Sequence, residues 1–139
     1  MAQPLFHLAF PVSNLEATKD FFMDVLGCST GRQSERWIDF DFFGHQVVAH
    51  LAEDEHTPAT TNPVDGKQVP ASHFGVILDW DDWHDLAEKL KAADIEFLIE
   101  PNIRFEGDVG EQATMFFQEP SGNALEFKSF KDMSQIFAT

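Results

Sequence analysis

The chain has 139 residues, 43% hydrophobic and 24% charged, with 24 Asp and Glu against 9 Lys and Arg and a net charge of -15. That size can bury one core, the mix is that of a soluble globular protein, and the acidity excludes nucleic acid and anionic membrane surfaces as natural partners. No apolar run is long enough to span a bilayer, the opening MAQPLFHLAF lacks a secretory pattern, and a single cysteine, Cys28, permits no intrachain disulfide, so a cytoplasmic protein is expected.

LFHLAFPV (5–12) alternates and reads as a strand ending at Pro11. Ser13 or Asn14 can cap a following helix, in which Leu15, Phe22, Val25 and Leu26 keep helical spacing and Gly27 is the stop. Cys28 follows as a buried thiol. WIDFDFF and HQVVAHLA read as two strands around a turn at Gly44. Residues 53–70, rich in Pro, Thr, Asp and Glu, read as a linker or mobile loop.

The pattern then restarts. SHFGVILDW (72–80) is a strand, and DDWHDLAEKLKAADI an amphipathic helix with Trp83, Leu86, Ala87 and Leu90 on one side. EFLIEP is a strand and RFEGDVGEQ a polar loop. ATMFFQE and NALEFKSF make a hairpin around Pro120-Ser121-Gly122, and KDMSQIFAT is a short tail. Two similar halves of strand, helix and strands point to an α+β fold rather than a parallel α/β sheet.

Side chains alternate across a strand. In the first strand Phe6, Leu8 and Phe10 share one face, and Leu5, His7 and Ala9 the other. The second half repeats this, with Phe74, Val76 and Leu78 against Ala71, His73 and Gly75. The last strand divides into Leu125 and Phe127 against Ala124, Glu126 and Lys128. The bulky face is expected to pack on the helix of its own half. The other carries one ligand-type residue among mostly small neighbours, which leaves room for something to bind.

Each histidine alone reads as well as a surface residue. Their equivalent places in the two halves favour a shared role. An unpaired carboxylate at Glu126 would be costly, and a divalent metal would offset that cost. Two histidines and one carboxylate with open positions is a non-haem Fe(II) ligand set.

HLAFPVSNLEATKDFFMDVLGC, SHFGVIL and above all FFQEPSGNALEF resemble the vicinal oxygen chelate superfamily, which includes glyoxalase I, extradiol dioxygenases, fosfomycin-resistance transferases and bleomycin-resistance proteins. The resemblance spans about residues 4–130. It implies one domain over residues 1–139, built of two βαβββ modules (about 4–56 and 70–130) joined by the 53–70 linker. Their strands would form a curved mixed sheet around a metal cavity, usually in a homodimer. Whether modules pair within one chain or across a dimer stays open.

Carried over residue by residue, the resemblance makes His7, His73 and Glu126 the metal ligands. Aligning Gly44 with Gly122 puts Val48 where glyoxalase I has a fourth ligand, and valine cannot bind a metal. His50 lies two residues on along the same face, as a substitute ligand, a base or a bystander. A glyoxalase-like isomerase is thereby disfavoured, and the resemblance also disfavours a metal-free sequestering protein, since the bleomycin-binding members generally lack this triad.

Two enzyme classes remain. An extradiol-type dioxygenase would use Fe(II) on a small vicinal-oxygen substrate, with His50 as the catalytic base. The chain has no tyrosine, which the ring-cleaving members often place near the iron. A fosfomycin-type thiol transferase would use the metal as a Lewis acid and wants cations, for which Arg32, Arg36, Arg104 and Lys128 are candidates. A non-catalytic small-molecule binder is a third reading. Fe(II) is favoured; Mn, Zn or Ni also suit such ligands.

Among other features, Asp39 and Asp41 share a face with Trp37, as cavity-lining or solvated carboxylates. Trp80 and Trp83 suit packing or a dimer contact, and His45, His56 and His84 read as solvent-facing.

Overall fold

The computed structural model describes residues 3–52, 61–64 and 66–139. The expectations for residues 53–60, His56 among them, lie outside the described residues. Two compact units are formed. One takes in residues up to Pro58 together with Glu119–Gly122, and the other Ala59–Gln118 with Asn123–Thr139.

In the first unit, β1 (His7–Val12) leads to α1 (Leu15–Asp20), which widens into a π-helical turn at Phe21–Val25. Strands β2 (Ser29–Gln33), β3 (Trp37–Phe42) and β4 (His45–Leu51) follow. The sheet order is β1-β4-β3-β2, with β1 parallel to β4 and the other pairs antiparallel. Asn14 caps α1 by accepting from the Ala17 amide at 2.9 Å. The helix stops where expected. Gly27 takes φ 76°, and the Cys28 amide reaches back to the Phe22 carbonyl at 2.8 Å, a Schellman closure.

Phe22, fully buried, stacks on Phe40 at 4.7 Å and on Phe10 at 5.8 Å. With Val12, Ile38, Phe42, Val47 and Ala49, these residues make the helix-side face of the sheet. Phe6 does not join them as the alternation implies. It is 62% exposed, because β1 starts one residue later and Phe6 spends its amide on His45 Nδ1 at 2.9 Å. The Glu119–Gly122 turn closes through the Gly122 amide and the Glu119 carbonyl at 2.8 Å. The buried Glu119 carboxylate accepts from the Thr18 hydroxyl and the Ser121 amide, each at 2.9 Å, which satisfies a charge that burial would otherwise penalise.

In the second unit a two-stranded ribbon, β5 (Thr61–Val64) and β6 (Lys67–Pro70), occupies part of the segment read as linker. Then come β7 (His73–Phe74), α2 (Trp80–Ala92), β8 (Phe97–Arg104), β9 (Gln112–Gln118) and β10 (Ala124–Phe130), with a 3-10 turn at Met133–Gln135. The sheet order is β7-β10-β9-β8, again with the first pair parallel and the others antiparallel. The fold is therefore α+β with two four-stranded mixed sheets, each from a strand–helix–three-strand run.

Trp83, Leu86, Ala87 and Leu90 are buried as the helical spacing predicts. Trp83 packs rather than awaiting a ligand: its indole N–H donates to the Phe127 carbonyl at 2.8 Å. Met115, Phe117, Leu125 and Phe127 complete the helix-side core of this sheet. Its other face holds a smaller cluster of Val69, Ile99 and Phe116, in which β6 contributes to the cover.

Candidate metal centre

Parallel pairing of β7 with β10 sets His73 opposite Ala124 and Phe74 opposite Leu125. Glu126 then falls one same-face step beyond His73. Its Oε1 stands 3.3 Å from His73 Nε2, with the two side chains 16% and 31% exposed. Glu126 Oε2 accepts from the Thr114 hydroxyl at 2.5 Å. The His73 ring meets Phe116 edge-on at 4.7 Å.

The hydrogen bonds decide what this pair can do. His73 Nδ1 lies 2.9 Å from the Pro70 carbonyl. A carbonyl only accepts, so Nδ1 carries the proton and Nε2 is the lone-pair nitrogen of the neutral ring. An ionised carboxylate oxygen also offers only lone pairs. Two acceptors facing each other need a proton or a cation between them. A histidine fixed through its other nitrogen, beside a carboxylate fixed through its other oxygen, is how proteins orient metal ligands. His73 Nε2 and Glu126 Oε1 are thus two lone-pair groups of the kind a divalent metal takes.

The first unit prepares His7 in the same way. β1 pairs with β4 so that His7 opposes Gln46, and His7 Nδ1 lies 2.7 Å from Gln46 Oε1. The amide oxygen accepts, so Nδ1 again holds the proton and Nε2 is free to ligate. The Gln46 amide nitrogen is turned to Asp39 Oδ2 in a long 3.5 Å contact. His7 itself is exposed. Asp39, half-buried, and Asp41, exposed, share this face through their pairing with Val48 and Gln46.

The registers of the two sheets match. His7 opposes Gln46 as His73 opposes Ala124, so Val48, opposite Ala9, holds in β4 the place that Glu126 holds in β10. His50 opposes Pro11 and Trp37 and is exposed. It shares the His7 face, about 13 Å along β4 from Gln46 at roughly 3.3 Å per residue.

The structure thus brings His73 and Glu126 together in one unit and places His7 and His50 on the open sheet face of the other. Among the described residues, no group of three or more His, Cys, Asp or Glu side chains that could hold a metal forms. Thr114, Pro70 and Gln46, which orient the candidate ligands, were not singled out from the sequence. Thr114 was within reach of the alternation rule, since hairpin pairing sets it opposite Lys128 on the face of Glu126. No sequence signal marks the carbonyl of Pro70. Of the candidate cations, Arg36 donates to the Leu51 carbonyl at 3.2 Å and Arg104 lies 4.9 Å from the Phe105 ring.

The family model for the Glyoxalase/Bleomycin resistance protein/Dioxygenase superfamily matches residues 5–127. A crystal structure of a glyoxalase/bleomycin resistance protein/dioxygenase from Alicyclobacillus acidocaldarius is 32% identical, with a TM-score of 0.81 over 96% of each chain. Virulence protein STM3117 of Salmonella typhimurium is 26% identical over 127 residues, 89% of this chain and 82% of that protein. The fosfomycin resistance protein FosX from Listeria monocytogenes shares the fold at 16% identity, with a TM-score of 0.68 over 93% of this chain and 94% of its own. Among the described residues no helix is long and apolar enough to cross a membrane.

Proposed function

The chain belongs to the glyoxalase/bleomycin resistance protein/dioxygenase superfamily, and from that premise we propose that it holds a divalent metal through His7, His73 and Glu126 and acts as an extradiol-type dioxygenase. One observation carries this reading. Both histidines spend Nδ1 on an oxygen acceptor and keep Nε2 for ligation, and one Nε2 already faces a carboxylate oxygen.

A metal held there would supply Lewis-acid and redox chemistry to a small substrate bearing adjacent oxygens, and Fe(II) suits two imidazoles and one carboxylate. The protein's own residues supply the rest. Thr114 and Pro70 hold two donors in place. His50, which shares the His7 face, is the candidate to take the proton from a substrate hydroxyl. Valine at position 48 speaks against a four-ligand isomerase. A homodimer working on a small molecule in the cytoplasm completes the proposal.

Oxygen uptake by the Fe(II)-loaded protein against a panel of catechols and hydroxy-ketones tests the reaction. Consumption that depends on one of these substrates is expected. Anaerobic turnover of an epoxide with Mn(II) and a thiol, with no oxygen uptake on any diol, would replace this reading with the transferase. His50→Ala should lower turnover at least about 100-fold, the scale of a lost general base, with metal content unchanged. Loss of the metal in that variant would make His50 a ligand and revive the isomerase.

A further inference from the structure

Glu126 is not the last polar residue on its face of β10. Lys128 follows on the same face, about 7 Å along the strand at roughly 3.3–3.4 Å per residue. Its backbone is held on both sides. It opposes Thr114 of β9, and its amide and carbonyl bond to Val76 and Leu78 at 3.2 and 2.8 Å. The side chain is half-buried. Its ammonium lies 5.5 Å from the Phe130 ring and has no acidic or hydrogen-bonding partner among the described residues. The chain carries 24 acidic residues against 9 basic ones, so an unpaired lysine beside a carboxylate is not explained by a shortage of partners.

Thr114 links the two positions. Its hydroxyl is committed to Glu126 while its backbone opposes Lys128, and Asn102 of β8 opposes it on the far side. Lys128, Thr114 and Asn102 therefore form one rung of the sheet, next to the rung of Glu126, Phe116 and Ile99. The Asn102 amide nitrogen donates to the Glu100 carbonyl at 2.7 Å and helps fix that end.

A cation on the same strand face as a ligand of a dication adds repulsion that an arriving anion would offset. We infer that Lys128 is the specificity residue for an anionic substituent, a carboxylate in the first instance, on the substrate. Lys128 lies one same-face strand step, about 7 Å, along from Glu126, so that group would sit apart from the atoms that reach the metal. The inference rests on the metal centre proposed above and names the substrate class for it. A lysine that only balanced the charge of Glu126 would act differently. Acid and ester would then bind alike, both before and after its removal.

Calorimetry on the anaerobic, Mn(II)-loaded protein separates these cases, with 3,4-dihydroxybenzoate and its methyl ester as probes. The acid should bind about 10- to 100-fold more tightly than the ester, the range of one charge-assisted contact. Lys128→Gln should abolish that preference, leave ester affinity unchanged, and leave Mn(II) affinity in the absence of probe the same or slightly tighter. Lys128→Arg should keep most of the preference. Equal binding of acid and ester by the unaltered protein, or a preference that survives Lys128→Gln, overturns the inference while the metal centre stands. Failure of Mn(II) to bind at all removes the metal reading and this inference with it.

Discussion

Replacing Glu126 with glutamine should lower the affinity for a divalent metal by more than about 100-fold, above the 10- to 100-fold that follows from loss of an outer-sphere partner. It should also abolish turnover. The substitution is nearly isosteric and should not harm the fold. Thr114 can still donate, now to the amide oxygen, in place of its bond to the carboxylate. The amide NH2 then faces His73 Nε2, where a carboxylate oxygen stood at 3.3 Å, and can donate to it. The variant thus supplies from within the chain what the carboxylate pair needs from a cation. Its metal-free Tm should equal or exceed that of the unaltered protein while metal binding is lost. Metal affinity within about threefold of the original would remove Glu126 from the ligand set.

The second large effect is expected at Gly75→Ala. A Cβ at Gly75 would lie 1.6 Å from the carbonyl oxygen of Glu126, 2.6 Å from its carbonyl carbon and 3.3 Å from its nitrogen. These are backbone atoms, so β10 or the chain at residue 75 must retreat. Overpacking of this kind costs about 1–3 kcal/mol, or roughly 3–10 °C in Tm for a chain of this size. The displaced segment carries Glu126 one way and His73, two residues from Gly75, the other. Metal affinity should therefore fall at least about 10-fold, by analogy with loss of an orienting partner. In β1 the corresponding residue is Ala9, opposite Val48 in ordinary pairing, so the demand for glycine belongs to the half that carries the carboxylate. Normal stability and metal affinity in Gly75→Ala would show that the close approach does not position Glu126.

What the sequence made legible follows from the two strongest periodicities. The period of two along β1 and β10 put His7 opposite in face to Phe10, and Glu126 opposite in face to Leu125 and Phe127. The helical period in α2 found its four buried residues. The equivalence of His7 and His73 was visible as repetition, and the matching registers give it a physical basis. Other elements left weaker traces. β2 reads STGRQ, an exposed edge strand with no apolar alternation to reveal it. The β5–β6 ribbon was hidden in a polar, proline-containing stretch, although Asp65-Gly66 between Val64 and Lys67 is a two-residue hairpin signal. Phe6 was assigned to the core because parity says nothing about where a strand begins. The supports of the candidate ligands depend on contacts across the sheet, such as Gln46 on His7, and on a backbone carbonyl, Pro70 on His73. Residue type alone does not announce either.

X-ray absorption at the metal edge of anaerobic protein carrying one Fe(II) per chain reads the proposed ligand set itself. Two imidazole nitrogens and at least one carboxylate oxygen are expected at about 2.0–2.2 Å. One imidazole should be lost in His7→Ala and one in His73→Ala. A spectrum with one imidazole or none, or one unchanged by either substitution, would contradict it.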